Sequence, residues 1–183
     1  MEHDSTPGAD TVAGAGEFGL IHAITTGRRQ PSGTVLGPGD DAAVVAAPDG
    51  RVVLTTDTLV EGVHFRLDWS PRPVGRKAAA VNLADVAAMG ATPTSVVVSL
   101  ACPGETPVTT VTELFDGLAA EVGRTRAGVV GGDTVRADKM IIGVTALGDL
   151  GGREPVTRSG ARPGDVLAVC GRLGWAAAGL AVL

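Results

Sequence analysis

Residues 74–90 read VGRKAAAVNLADVAAMG, and they predict the helix that separates two groups of strand-like runs. We place this helix at residues 73–89, because Pro71 and Pro73 suit the first turn of a helix. Gly90 suits its C-terminal cap, since glycine adopts the left-handed conformation that commonly ends a helix. The fold class follows from the strand-like runs on either side.

Two polar side chains interrupt the apolar part of this helix. They are Asn82 and Asp85, three positions apart and therefore on one face. A helix that is apolar nearly all round is expected to be buried, and a buried unpaired carboxylate is costly. We therefore expect Asp85 to be buried with a partner, which is equally a metal ion or a basic or amide group.

The remaining runs predict a mixed sheet with helices on one face. AAVVAA and RVVLTT, joined by the turn PDG, predict a β-hairpin. SVVVSLA, AGVV and KMIIGVTALG predict further strands, and TPVTTVTELFDGLAAEVGRTR predicts an amphipathic helix. A short helix, EFGLIHAIT, precedes them all. The order β-β-α-β-α-β-β from AAVVAA onward is typical of an α+β fold in layers.

The two ends of the chain differ in composition from its middle. Residues 1–15 are polar, glycine-rich and aperiodic, so we expect a mobile tail. We assign residues 16–150 to a first domain and the Gly-, Pro- and Arg-rich residues 151–164 to a linker. In residues 165–183, DVLAVC predicts a strand and WAAAGLAVL the start of a helix, so we expect the truncated start of a second α/β domain.

Composition and charge argue against several classes of function. The net charge is −5, and the basic residues are not clustered as a nucleic-acid-binding surface requires. The apolar runs are too short for a membrane-spanning helix and the acidic start lacks a secretory signal. We therefore expect a cytoplasmic protein that binds neither nucleic acid nor membrane. Cys102 and Cys170 lack metal-ligand spacing and are expected to be small buried residues.

Aspartates recur beside the predicted strands, next to glycine or hydroxyl residues. They are Asp40 and Asp41 in LGPGDDAAVV, Asp57 in TTDT and Asp133 in GGDT. Each alone is most simply a turn or capping residue. Together with Asp85 they match the carboxylates that two or three Mg²⁺ ions would use, beside water and phosphate oxygens. Of the adjacent pair, we expect Asp41 to be the ligand and Asp40 the turn residue.

Six motifs, in order along the chain, resemble the thiamine-monophosphate kinase family, which belongs to the superfamily that includes aminoimidazole ribonucleotide synthetase. They are GEFGLI, GPGDDAAV, TTDTLVEGVHF, VNLADVAAMGATP, GGDT and TRSGARPGD. The similarity runs from about residue 17 to residue 183, and TTDTLVEGVHF and VNLADVAAMGA are its most specific parts.

The resemblance implies an enzyme that transfers the γ-phosphoryl group of ATP to thiamine phosphate and gives thiamine diphosphate. The Mg²⁺ ligands that it implies are Asp41, Thr55, Thr56, Asp57, Asp85 and Asp133. The ATP contacts that it implies are Gly132, Asp133, Arg158 and Phe115, and the implied thiamine phosphate contact is His64. From the residues alone, His64 and Arg158 are more simply exposed or structural residues, and Phe115 a core residue.

The resemblance also implies an assembly and a longer chain. Members of the family are homodimers whose first domains pair through their sheets, with the active site near that interface. They continue past the position of residue 183 into a second domain, which supplies further contacts to metal, ATP and the thiamine ring.

The expected chemistry is direct in-line transfer between phosphates, without a phosphoenzyme. The acceptor phosphate has a second pKa of about 6, so near neutral pH its attacking oxygen is largely ionised and needs no general base. The obstacle is repulsion between two polyanions, which Mg²⁺ ions held by aspartates would neutralise.

Two alternatives remain open at this point. The first is another ATP-using member of the superfamily, selenophosphate synthetase-like or hydrogenase maturation factor-like. The second is a non-catalytic Mg²⁺-nucleotide-binding dimerisation fragment. TTDTLVEGVHF favours the thiamine phosphate interpretation, and product formation distinguishes an enzyme from a binding fragment.

Overall fold

The computed structural model describes residues 10–38 and 44–182. Its helices are α1 (Val12–Thr25), α2 (Pro71–Ala88), α3 (Val108–Gly123) and α4 (Trp175–Val182). Its strands are β1 (Thr34–Leu36), β2 (Val44–Val45), β3 (Val53–Val60), β4 (Thr92–Cys102), β5 (Gly128–Arg136) and β6 (Ile141–Asp149).

The main sheet has four strands in the order β3-β6-β4-β5. β6 runs antiparallel to both of its neighbours, whereas β4 and β5 are parallel and are joined through α3. The sheet is therefore mixed, and the α+β class predicted from the sequence is confirmed.

One face of this sheet is covered by helices. α2 packs on β3, β4 and β6, while α3 packs on α2 and β5. The side chains between the layers alternate along the strands, and Val98, Leu100, Ile142 and Val144 are at most 2% exposed. In the described part of the chain the other face is uncovered, and Leu54 on it is 65% exposed.

The helix predicted at residues 73–89 is confirmed in its position, but the predicted burial of Asp85 on it is not. α2 begins at Pro71 and ends at Ala88, and Gly90 behind it has φ +75°. The expectation that Asp85 is buried is wrong, because Ala84, Ala87 and Ala88 form an exposed face beside it. Alanine is compatible with either environment, so an apolar pattern made of alanines does not establish burial.

The predicted hairpin is also wrong. The turn forms, since the Asp49 carboxylate accepts a hydrogen bond from the Arg51 backbone N–H at 2.8 Å. However, β2 pairs with β1, whereas β3 pairs over its whole length with β6. A turn signal predicts that the chain reverses direction, but it does not say which strand pairs with β3. The strand that does, β6, lies some 90 positions further along the chain, where local sequence patterns give no information on pairing.

Secondary structure near the two ends of the chain differs from the predicted tail and the predicted strand. α1 already begins at Val12, inside the predicted tail, and bends at Gly16, where φ is +69°. Residues 1–9 lie outside the described residues. No strand is described at 165–170, because the apolar side chains there, such as Val166 and Leu167, are exposed without a neighbouring strand. The division of the chain into two domains and a linker stays a prediction.

One of the two cysteines is buried and the other is exposed. Cys102 at the end of β4 is 1% exposed, as expected, and burial raises the pKa of its thiol. Cys170 is exposed, so the expectation of a buried residue is wrong for it. It lies in the segment whose predicted strand is not formed.

The crossing of α2 and α3 depends on glycine. A Cβ atom at Gly75 would lie 1.9 Å from the Leu114 carbonyl oxygen, so the two helix backbones touch there. We expect Gly75→Ala to lower the free energy of unfolding by about 1–3 kcal/mol, through forced separation of the helices. Urea unfolding measures this, and Gly123→Ala is the control, since a Cβ there meets no atom within 4 Å. Equal stability of both variants would contradict the close approach.

Asp49 attaches the segment after β6 to the turn before β3. Its carboxylate also accepts a hydrogen bond from the Gly152 N–H at 3.2 Å. Hydrogen bonds from the Arg51 backbone, the Arg51 side chain and Gly152 lower the pKa of Asp49.

A pKa that is lower in the folded state stabilises this attachment above the unfolded pKa of about 4, and the stabilisation is lost as the pH falls through the folded pKa. We expect the Gly152 amide to show less protection from hydrogen exchange at pH 3 than at pH 6. Asp49→Asn should remove that pH dependence, and a dependence that survives the substitution would assign it to another group.

Candidate functional site

The contact between α2 and β3 is organised by one buried amide. Asn82 is 0% exposed, and its Oδ1 accepts a hydrogen bond from the Asp57 backbone N–H at 2.8 Å. Its Nδ2 donates to the Ala78 carbonyl oxygen, one turn earlier in α2, at 3.0 Å. Both ends of the amide are thus satisfied, and the side chain fixes the strand against the helix.

A second contact lies one turn further along α2. The Thr55 hydroxyl donates to the Asp85 carboxylate at 3.0 Å. Thr55 and Asp57 are two positions apart on β3 and share a face, as Asn82 and Asp85 do on α2. We call these four residues the α2–β3 site.

The carboxylates of the α2–β3 site are not neutralised by protein cations. Within residues 10–38 and 44–182, no Lys, Arg or His nitrogen lies within 4.0 Å of Asp57 or Asp85. Both residues are exposed, Asp57 on the edge strand β3 and Asp85 on the alanine-lined face of α2. A hydroxyl and two carboxylates are the oxygen donors that Mg²⁺ prefers, so the residues present fit this ion.

Thr56 is turned away from the α2–β3 site. Its hydroxyl donates to the Val144 carbonyl oxygen at 3.0 Å and accepts a hydrogen bond from the Thr145 hydroxyl at 3.1 Å. This follows from the alternation of side chains, since TTDT lies inside β3 and not at its end as the sequence indicated. The role of Thr56 as a metal ligand stays a prediction.

Gly132 and Asp133 lie inside β5, on the far side of the sheet. In register, Asp57 aligns with Val144, Val98 and then Gly132. This separation of three strand spacings is roughly 14 Å. Asp133 aligns instead with exposed Ser99, on the uncovered face.

Asp133 is therefore not brought to Asp57 and Asp85. Among the described residues, no three His, Cys, Asp or Glu side chains form a group that could hold a metal ion. Gly132 has a steric reason to be glycine, because a Cβ there would lie 2.2 Å from the Val98 carbonyl oxygen.

His64 is exposed in the turn that follows β3. Its Nδ1 accepts a hydrogen bond from the Val60 backbone N–H at 3.0 Å. Lys77 of α2 donates to the His64 carbonyl oxygen at 2.6 Å. The neutral ring assigned from this pattern carries its proton on Nε2, which leaves that atom as a donor.

The other predicted residues lie apart from these contacts. Phe115 is 4% exposed in the core, which agrees with the structural interpretation of that residue. Arg158 is exposed in the irregular segment between β6 and α4. Asp40 and Asp41 lie outside the described residues.

Asn82 is the residue that the sequence interpretation did not assign to the site. A signal was available, because it is the one other polar residue on the Asp85 face of α2. What the pattern could not give is its partner, since the Asp57 N–H belongs to a strand 25 positions earlier.

Comparison with known proteins gives both a family match and matches to individual relatives. Residues 39–150 match the family model for AIR synthase related protein, N-terminal domain. The chain is 53% identical, over 182 residues, to the thiamine-monophosphate kinase of Mycobacterium tuberculosis, covering 99% of this chain and 55% of that protein. The chain thus spans about half the length of the curated relatives it matches.

Among the described residues, we find no helix with both the length and the apolar content to cross a membrane.

Solved structures agree with the sequence comparison. The crystal structure of thiamine monophosphate kinase from Aquifex aeolicus matches with a TM-score of 0.58 and 37% identity, over 61% of this chain and 37% of that one. The structure of AaThiL complexed with AMPPCP and TMP matches with a TM-score of 0.54 and 33% identity, over 73% of this chain and 42% of that one.

Proposed function

Since the chain belongs to the family of AIR synthase related proteins, matching its N-terminal domain, we propose that it acts in the ATP-dependent phosphorylation of thiamine phosphate to thiamine diphosphate. Relatives that the chain matches are thiamine-monophosphate kinases. The observation that carries the proposal is the α2–β3 site, where hydrogen bonds join the segments that carry Asp57 and Asp85, and neither carboxylate has a cationic partner among the described residues.

Mg²⁺ would be held by Asp57 and Asp85, with Thr55 as a neutral oxygen donor beside them. When bound, it would neutralise charge on the ATP phosphates and polarise the phosphoryl group that is transferred. Asn82 would contribute indirectly, because its hydrogen bond to the Asp57 backbone fixes the spacing of the two carboxylates. Asp41, Thr56 and Asp133 are the remaining proposed ligands. Because the side chains of Thr56 and Asp133 lie on the uncovered face of the sheet, they would hold a Mg²⁺ ion other than the one at Asp57 and Asp85.

His64 would contact the phosphate of thiamine phosphate. Its Nδ1 is occupied by the Val60 N–H, so Nε2–H is the atom available to an acceptor oxygen. A hydrogen bond to an anionic oxygen is stronger than one between neutral groups. The chain needs no general base for this reaction, because the acceptor oxygen is already largely ionised near neutral pH.

ATP would be contacted by Gly132, Asp133, Arg158 and Phe115. The uncovered face of the sheet, with Asp133 and Leu54 on it, supports pairing of two copies through their sheets. A homodimer of this kind would bring a second chain close to Asp133. Phe115 is 4% exposed in the core and would become accessible to ATP only if α3 moved.

A second candidate function is Mg²⁺-nucleotide binding and dimerisation without turnover. It is favoured by one observation, the separation of three strand spacings, roughly 14 Å, between Asp57 on β3 and the Asp133 segment of β5. In that case the described residues hold part of a site that another segment or copy completes. Hydrogenase maturation factor-like and selenophosphate synthetase-like reactions are the remaining alternatives within the superfamily.

Product analysis tests the proposal. The purified chain is incubated with γ-labelled ATP, Mg²⁺ and thiamine phosphate, and labelled thiamine diphosphate is separated by chromatography. We expect product that depends on Mg²⁺ and on thiamine phosphate, with no label attached covalently to the protein. Mg²⁺-dependent nucleotide binding without product would favour the second candidate, and a labelled protein would contradict direct transfer.

A further inference from the structure

A second region of the molecule has the features of a ligand site. A cavity of about 320 Å³ lies between the loop that follows α1 and the end of α3. The charged residues that line it are Arg28, Arg29, Asp116 and Arg126. We call it the arginine cavity. Its volume is at the lower end of the range, roughly 300–1,000 Å³, that is typical of small-molecule sites.

The arginine cavity carries uncompensated positive charge. The Asp116 carboxylate is already paired at both oxygens, with Arg28 at 3.1 Å and with Arg72 at 3.2 Å. Arg29 and Arg126 are exposed, and neither lies within 4.0 Å of a carboxylate in the part of the chain that the structure describes. Two free guanidinium groups in a chain of net charge −5 form a local attraction for anions.

Arg126 has an unfavourable backbone conformation. Its φ is +67°, and within residues 10–38 and 44–182 it is the one non-glycine residue with positive φ. Its N–H donates to the Gly123 carbonyl oxygen at 3.1 Å, which keeps it in the turn that ends α3. Strained positions of this kind concentrate at ligand sites, and glycine would be the unstrained choice here.

The ordinary explanation for cations at this place is the helix dipole, because α1 and α3 both end near the cavity. That explanation accounts for Arg28, which donates to the Ile24 carbonyl oxygen in the last turn of α1. Arg124 is accounted for in another way, by its ion pair with Glu121 of α3. Among the described contacts, Arg29 and Arg126 bond no terminal carbonyl, so the dipole does not explain their side chains.

The arginine cavity is separate from the α2–β3 site. Arg72, which pairs with the cavity residue Asp116, lies in the first turn of α2, whereas Asp85 lies near its end. Thirteen residues of helix correspond to roughly 20 Å. A ligand in the cavity would therefore leave the α2–β3 site free.

We propose that the arginine cavity binds a small multiply charged anion of the phosphate class, held by Arg29 and Arg126. The guanidinium group matches the oxygens of such an anion with two parallel N–H donors. This inference does not depend on the proposed kinase function, because it uses other residues and needs no metal.

Isothermal titration of sodium pyrophosphate into the full chain tests this proposal. EDTA in the buffer keeps divalent cations away from the α2–β3 site. We expect saturable binding of one pyrophosphate per chain, weakened at least about tenfold by Arg29→Gln and by Arg126→Gly. Arg124→Gln is the matched control, since Arg124 pairs with Glu121 and does not line the cavity. It should bind as the unchanged chain does.

The melting temperature distinguishes loss of the binding site from misfolding of a variant. Arg126→Gly removes the backbone strain, so it should raise the melting temperature without ligand while weakening pyrophosphate binding. Absence of saturable binding would overturn the proposal. So would equal weakening by Arg124→Gln, which would indicate attraction to surface charge in general.

Discussion

Asp85→Asn is expected to reduce the Mg²⁺-dependent affinity for an ATP analogue by at least about tenfold, while the chain remains folded. Asparagine has nearly the same shape and still accepts the hydrogen bond from Thr55. What it lacks is the negative charge, and Mg²⁺ is a hard cation that favours carboxylate oxygens. Since Asp85 is exposed, its substitution leaves no buried group unsatisfied and should change the unfolding free energy little.

The matched control is Glu113→Gln, which removes an exposed carboxylate from α3, away from the α2–β3 site. Titration calorimetry with a non-hydrolysable ATP analogue compares the two variants with the unchanged chain, with and without Mg²⁺. If Asp85→Asn bound the analogue normally and only melted earlier, Asp85 would be a structural residue.

Asn82→Ala should have two effects, because its side chain connects α2 to β3. Truncation removes the buried amide and leaves the part-buried Asp57 N–H without its acceptor, which we expect to lower the unfolding free energy by about 1–3 kcal/mol. It also releases the strand segment that carries both Thr55 and Asp57. Mg²⁺-dependent nucleotide binding should therefore weaken at temperatures where the variant is fully folded.

Stability and binding are separated by a second variant. Thr94→Val removes the hydrogen bond from Thr94 to the Leu147 carbonyl oxygen, 3.2 Å long, in the same sheet. It should lower stability without weakening nucleotide binding. Urea unfolding and calorimetry on both variants provide the comparison, and unchanged binding by folded Asn82→Ala would contradict a positioning role.

The fold class and the boundaries of α2 and α3 were predictable because their signals are local. Proline at the start of α2, Gly90 behind it and the apolar spacing of α3 lie within the elements they define. The pairing of β3 with β6 was not predictable in this way. It depends on a strand far along the chain, and the turn at Asp49 favoured the nearer but wrong partner.

The candidate site was predictable in its residues but not in its geometry. Sequence patterns identified Asp57, Asp85 and Asp133 as candidates, and the first two lie on neighbouring elements, β3 and α2, which hydrogen bonds connect. Asp133 lies on the other face because TTDT and GGDT are both inside strands, where a shift of one position reverses the side chain. The environment of Asp85 was misjudged because alanine does not distinguish buried from exposed faces.

The most direct test of the proposed function is the calorimetric titration of a non-hydrolysable ATP analogue into the chain, with and without Mg²⁺. We predict binding that requires Mg²⁺ and that Asp57→Asn and Asp85→Asn each weaken. Binding that is equal with and without Mg²⁺, or that neither substitution affects, would contradict the assignment of the α2–β3 site as the metal-nucleotide site.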